Sequence, residues 1–126
     1  MRTMSPLEPH FAPTFATGDY VFVSGQLAFG ARGRIEGDVE RQTQTCLENL
    51  ETLLRTHRLD RLDVVKTTVW LRSSEDYAAF NGAYARFFGT HRPARSTLIC
   101  ALALPEAVVE VEAIAATLRI QRGPRG

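Results

Sequence analysis

The chain has 126 residues, 44% hydrophobic and 23% charged, which is ordinary composition for one globular domain. Its formal net charge is +1, and its fourteen arginines are scattered from Arg2 to Arg125 with Lys66 the only lysine, a skew that fits codon bias in a GC-rich genome better than a polyanion surface, which needs cations clustered on one face. No segment approaches the ~20 apolar residues of a membrane span, and MRTMSPLEPH lacks the apolar stretch of a signal peptide, so a cytoplasmic protein is expected.

In chain order, an extended opening at Phe11–Ala16 meets a turn at Thr17-Gly18-Asp19, and the β-branched and aromatic run Tyr20–Ser24 follows to complete a hairpin. Gly30 and Gly33 bracket a loop with a short extended piece near Arg34-Ile35. Asp38 is placed to cap a helix over Val39–His57, with Glu40 in the first turn and Cys46, Leu47, Leu50, Leu53 and Leu54 at helical spacing. Val64–Leu71 reads as a strand. Ser73 or Ser74 caps the next helix, Asp76 closes a capping box with Ser73, and Gly89 ends it. Tyr77, Phe80, Tyr84, Phe87 and Phe88 form one stripe on that helix, read as core packing. Strands near Ser96–Ala101 and Val108–Leu118, divided by Pro105, complete a single domain over residues 1–120, and Gln121–Gly126 should be disordered.

The order β-β-α-β-α-β-β predicts an α+β fold in which two helices cover one face of a mixed sheet. Each helical crossover should join the strands it flanks as parallel neighbours. In the last strand Val109, Val111, Ala113 and Ala115 make one apolar row, and Glu110, Glu112, Ile114 and Ala116 the opposite one. The second, partly apolar sheet face has no cover within the chain, which points to self-association.

Cys46 and Cys100 fall on separate elements and read as reduced core thiols. His10, His57 and His91 are isolated from each other and from the cysteines, so no metal-ligand spacing exists. Pro93-Ala94-Arg95-Ser96 sets an arginine at a strand entry, where its planar fork suits a small carboxylate; a surface arginine in a loop is the commoner role. Glu110 and Glu112 share a strand face roughly 7 Å apart. On so apolar a strand they are candidates for a general base and for a partner to an arginine across an interface. Gly25, after Ser24 and before Gln26, would let backbone approach a ligand closely, or would simply mark a bulge. His91 is a candidate proton shuttle, though a solvated loop histidine is the commoner case.

Six segments together resemble the RidA/YjgF family over nearly the whole chain. They are Gly18–Gln26, Gln42 with Asn49-Leu50, Asp63–Val69, Phe80-Asn81 with Tyr84 and Phe87-Phe88, Pro93–Thr97, and Val109–Ala115. The resemblance implies a chorismate-mutase-like subunit forming a homotrimer around a central barrel, with clefts between subunits. It also implies cofactor-free hydrolysis of 2-imino or 2-enamino acids to 2-keto acids and ammonia. The family's substrate-anchoring arginine falls on Arg95 and its water-positioning glutamate on Glu110. Its other ligand-facing positions fall on Ser24, Gly25, Asn81 and Thr97. Where many deaminating members carry a tyrosine this chain has Phe11, keeping the ring and losing the hydroxyl. Two other functions stand beside deamination: a non-catalytic binder of small carboxylates, and the ribonuclease or translation inhibition also reported for the family. The second has little support from a chain with no basic stripe and no paired histidines.

Overall fold

The structure is a computed structural model and describes residues 9–117. Strands β1 (Thr14–Thr17) and β2 (Tyr20–Gln26) form the expected hairpin. Helix α1 (Val39–Arg55) follows, then β3 (Val64–Leu71), α2 (Tyr77–Phe88), β4 (Ala94–Ile99) and β5 (Val109–Ala116). Leu118, expected at the end of the last strand, and the tail at Gln121–Gly126 lie outside the described residues.

Both helices start and stop for local chemical reasons. The Asp38 carboxylate accepts the Arg41 backbone N–H at 3.0 Å and so caps α1. The helix ends at Arg55 rather than His57, because Thr56 turns its N–H and hydroxyl onto Leu53 O and Arg58 takes a left-handed φ of 61°. Before α2, the Ser73 hydroxyl accepts from Glu75 N and supports a single 3-10 turn at Ser74–Asp76. The capping box expected with Asp76 does not form, since Asp76 itself becomes the residue at the head of α2. Gly89 ends α2 at φ 63°, a conformation that favours glycine.

The sheet order is β1-β2-β5-β3-β4. Strands β3 and β4 are parallel neighbours joined through α2, as expected. The crossover through α1 behaves differently. It leaves a gap one strand wide between β2 and β3, and β5 fills that gap antiparallel to both. A crossover helix fixes handedness and direction, and it does not require the two strands to touch.

The helices cover one face. Leu47, Leu50 and Leu54 of α1 and Phe80 of α2 are fully buried against Val21, Val69, Leu71, Val109 and Val111. Each such side chain stabilises the fold by about 1.5–3 kcal/mol through removal from water. Gln42 is the polar pin of this layer: its amide donates to the carbonyls of Gly37 and Glu106 and accepts from Val108 N, tying the loop before β5 to α1. Cys46 is a core thiol as expected, and burial pushes its pKa up to about 12, with Glu110 adding to the rise. Cys100 is not, because β4 ends at Ile99 and leaves it exposed.

The other sheet face is bare. Phe15 and Phe22 pair across the β1–β2 hairpin and are exposed, and Leu98, in register with Trp70, is exposed at the opposite edge. No described helix is long and apolar enough to cross a membrane.

Candidate functional site

Arg95 lies on β4 in register with Thr67, on the row that faces the helices. Its guanidinium stands over three rings of α2, with its carbon 4.9 Å from the Tyr84 ring centre, 5.2 Å from Phe80 and 5.9 Å from Tyr77. Such stacking fixes a cation at the cost of little solvation and leaves its hydrogen-bond edge available. That edge donates to the Tyr77 hydroxyl at 3.3 Å. Among the described residues, no carboxylate lies within ion-pair distance of Arg95.

The ring cradle is itself held. Tyr84 is buried, and its hydroxyl shares a 2.7 Å hydrogen bond with the fully buried Thr67 hydroxyl. Burial raises the Tyr84 pKa, against lowering by the Thr67 bond and by Arg95, so the ring stays a neutral phenol under the cation. These aromatics were legible as a stripe, yet only their packing role was. The signal for more was the hydroxyl of a tyrosine at positions 77 and 84, where a purely apolar face would carry phenylalanine.

Around Arg95 two hollows open. One of about 310 Å³ includes Asn81, Tyr84, His91 and Pro93. Another of about 480 Å³ includes Ser74, Tyr77, Thr97 and Ile99. Asn81 and Thr97 therefore share one group with Arg95. His91 borders it, with its Nε2 hydrogen-bonded to Val64 O at 2.8 Å and its ring packed against Phe88.

Glu110 belongs to a second group. It lies on β5 opposite Trp70, on the row alternate to the buried Val109 and Val111. Its carboxylate rests against Gly25, and a Cβ placed on that glycine would sit inside the carboxylate, 3.0 Å from Cδ. Gly25 and Ser24 occupy a bulge: Val23 pairs with Ala113 and Gln26 with Val111, so two residues of β2 oppose Glu112 alone. Both roles entertained for Gly25, bulge and close approach, thus hold at once. Burial raises the Glu110 pKa, and the nearby charge of Glu112 raises it further. Neither glutamate forms an ion pair with a described residue.

Ser24 ties in the segment that carries Phe11. Its hydroxyl donates to Ala12 O at 2.6 Å and its N–H to Pro13 O at 3.0 Å. Phe11 precedes β1 rather than lying in it, and its ring is exposed beside Gly25 on the wall of a groove of about 450 Å³.

The seven sequence candidates thus form two clusters: Arg95, Asn81 and Thr97 around β4 and α2, and Glu110, Gly25, Ser24 and Phe11 around β2 and β5. Within one chain, Arg95 and Glu110 occupy opposite rows of the sheet, with β3 between their strands. Among the described residues, no group of His, Cys, Asp and Glu is placed to hold a metal ion.

Comparison with known proteins identifies the family of the chain. Residues 3–117 match the family model described as Endoribonuclease L-PSP. A RutC family protein of Pyrococcus horikoshii is 33% identical over 112 residues, which span 87% of this chain and 88% of that protein. The crystal structure of the E. coli YjgF gene product is 31% identical with a TM-score of 0.81, covering 87% of this chain and 89% of that one. E. coli TdcF with bound serine is 30% identical with a TM-score of 0.79, covering 90% of each chain.

Proposed function

The chain belongs to the RidA/YjgF family, the one described as Endoribonuclease L-PSP, and from that premise we propose that it hydrolyses 2-imino and 2-enamino acids to 2-keto acids and ammonia. The observation that carries this reading is the Arg95 guanidinium, stacked on three rings with its carboxylate-binding edge turned to no acidic side chain of the described chain. A stacked, oriented fork of this kind suits the carboxylate of a small acid. The serine in the related TdcF structure has the same carboxylate-and-nitrogen outline as a 2-imino acid.

A homotrimer is part of the proposal. The two residue clusters lie on opposite rows of one sheet, so a site using both needs the Arg95 group of one chain beside the Glu110 group of the next. The bare face bearing Phe15, Phe22 and Leu98 supplies apolar surface for that contact.

In the reaction, Arg95 binds the substrate carboxylate, with Asn81 and Thr97 in the two hollows that flank it. Glu110 of the adjoining chain holds a water against the imine carbon. Attack forms the C–O bond and moves the C=N electron pair to nitrogen, while Glu110 takes one proton from the water. That proton passes to nitrogen to give the carbinolamine, whose hydroxyl proton then passes through Glu110 to the same nitrogen as the C–N bond breaks, and 2-keto acid and ammonia leave. A raised carboxylate pKa makes Glu110 a stronger base than an ordinary glutamate. Imines hydrolyse unaided, so base assistance of roughly 10²–10⁴-fold is sufficient catalysis.

The test generates 2-aminoacrylate with a dehydratase and follows its disappearance with and without the protein. The parent accelerates keto acid release, and Arg95→Ala loses about 2–5 kcal/mol of transition-state stabilisation in kcat/KM, as removal of a desolvated charge partner does. Equal rates in the two proteins would end the assignment of Arg95. Ligand binding at Arg95 with no keto acid formed would leave the chain a carboxylate-binding protein. RNA cleavage, which the family description names, gains little from the two histidines described beyond residue 10, since His57 Nε2 is engaged by Thr14 and His91 Nε2 by Val64 O.

A further inference from the structure

The groove beside Gly25 has no part in the chemistry above, and its walls are mostly apolar. Phe11, Pro13, Leu27, Phe29 and Leu53 supply its apolar surface. Its polar members are largely committed to holding those walls. The Asn49 amide donates to Leu27 O at 3.3 Å and Phe29 O at 2.9 Å, and the Gln26 amide donates to Ser24 O at 2.9 Å. Among the described residues, no lysine, arginine or histidine lines it. At about 450 Å³ it lies inside the range of roughly 300–1,000 Å³ occupied by small-ligand pockets. One residue joins it to the proposed chemistry: Gly25 lines the groove, and the Glu110 carboxylate lies where the Cβ of residue 25 would be.

We infer that this groove receives the side chain of the substrate, and that the protein favours imino acids with branched aliphatic or aromatic side chains over those with a second carboxylate. The inference rests on the deaminase reading and extends it to substrate class. A water held by Glu110 against the imine carbon places the substituent of that carbon near Gly25, at the mouth of the groove. An apolar side chain entering it gains from leaving water. A second carboxylate would be desolvated there with no cation among the described residues to meet it. Phe11 fits the same reading, because its ring brings no polar atom to the groove.

The experiment uses an amino-acid oxidase to produce the imines of alanine, leucine, phenylalanine and glutamate in the presence of the full-length protein. The parent should show kcat/KM for the leucine and phenylalanine imines at least tenfold above that for the glutamate imine. Thr52→Phe, which fills the groove from α1, should lower the leucine-to-alanine ratio of kcat/KM about tenfold. Leu27→Arg should raise the glutamate-to-leucine ratio by a similar factor, a gain that misfolding cannot imitate. Activity on all four imines with the same ratios in parent and variants would overturn the groove assignment and leave the deaminase reading standing. No activity of the parent on any imine would overturn both.

Discussion

Glu110 owes its raised pKa first to burial and second to Glu112, and the two causes can be separated. A general base works only when deprotonated, so kcat/KM should climb with pH through the Glu110 pKa, above the usual carboxylate range. Glu112→Gln removes the like charge and keeps the burial. Its acid limb should move to lower pH, read from kcat/KM profiles of the two proteins; an unmoved limb would assign the titration to another group. Gly25 offers a second test at the same atom. Its φ is not in the left-handed region, so Gly25→Ala imposes no left-handed backbone strain, and its methyl meets the Glu110 side chain first. A displacement of this size costs activity on the order of 10²-fold. The unfolding midpoint in urea should change little.

At the scale of elements, α1 and α2 are joined by a charged clasp. Glu51 of α1 accepts two hydrogen bonds from the Arg61 side chain, at 2.9 and 2.7 Å, and one from Arg61 N, while Arg61 also donates to Phe87 O at the end of α2. Those side-chain hydrogen bonds are the largest reason the Glu51 carboxyl is held below its ordinary pKa. A lowered folded pKa contributes stability that is complete above the unfolded value and fades as pH falls through the folded one. Glu51→Gln should therefore destabilise the protein at pH 7 and converge with the parent in acid, measured as urea midpoints from pH 7 to 3. The loss at neutral pH should be about 2 kcal/mol, below the roughly 3–5 kcal/mol of a fully buried pair, because 37% of the Arg61 side chain remains exposed. The Thr67–Tyr84 pair makes a matching prediction beneath Arg95. Tyr84→Phe strands the buried Thr67 hydroxyl at a cost of about 1–3 kcal/mol, and adding Thr67→Val should recover much of it.

Much of this element level was readable in the residues. Alternation in Val109–Ala116 fixed which row faces the helices, and the leucines of Val39–Arg55 fixed the buried stripe, because burial acts on each side chain locally. The neighbour of β2 was not readable, since Val21 and Val23 demand an apolar layer above them and say nothing about which strand lies alongside. The same limit hid the cradle under Arg95: a guanidinium and three rings eleven or more positions apart meet only when β4 pairs with β3. The family resemblance carried the candidate positions, and the structure shows why they divide into two clusters.

At the scale of the molecule, the proposed site belongs to no single chain. The parent should sediment at three times the 14.0 kDa chain mass. Phe22→Asp, which puts charge on the bare face, should weaken that assembly and the activity together. A stricter test mixes Arg95→Ala with Glu110→Gln. In a ring closed by one repeated head-to-tail contact, random exchange leaves roughly a quarter of the sites with both groups intact, so two inactive proteins should regain activity when combined. If both groups acted within one chain, mixing would restore nothing.

The central place of β5 has a consequence for how the protein comes into being. Among the described strands it is the last to be synthesised, and β2 and β3 each present an open row of backbone donors and acceptors until it arrives. Half-made chains are therefore exposed to pairing with one another, and productive folding waits on contacts that join distant parts of the polypeptide. A circular permutant that moves Val109–Ala116 ahead of Thr14 would place β5 beside β2 from the outset. It should refold faster than the parent at equal stability, the gain coming from the shortened wait.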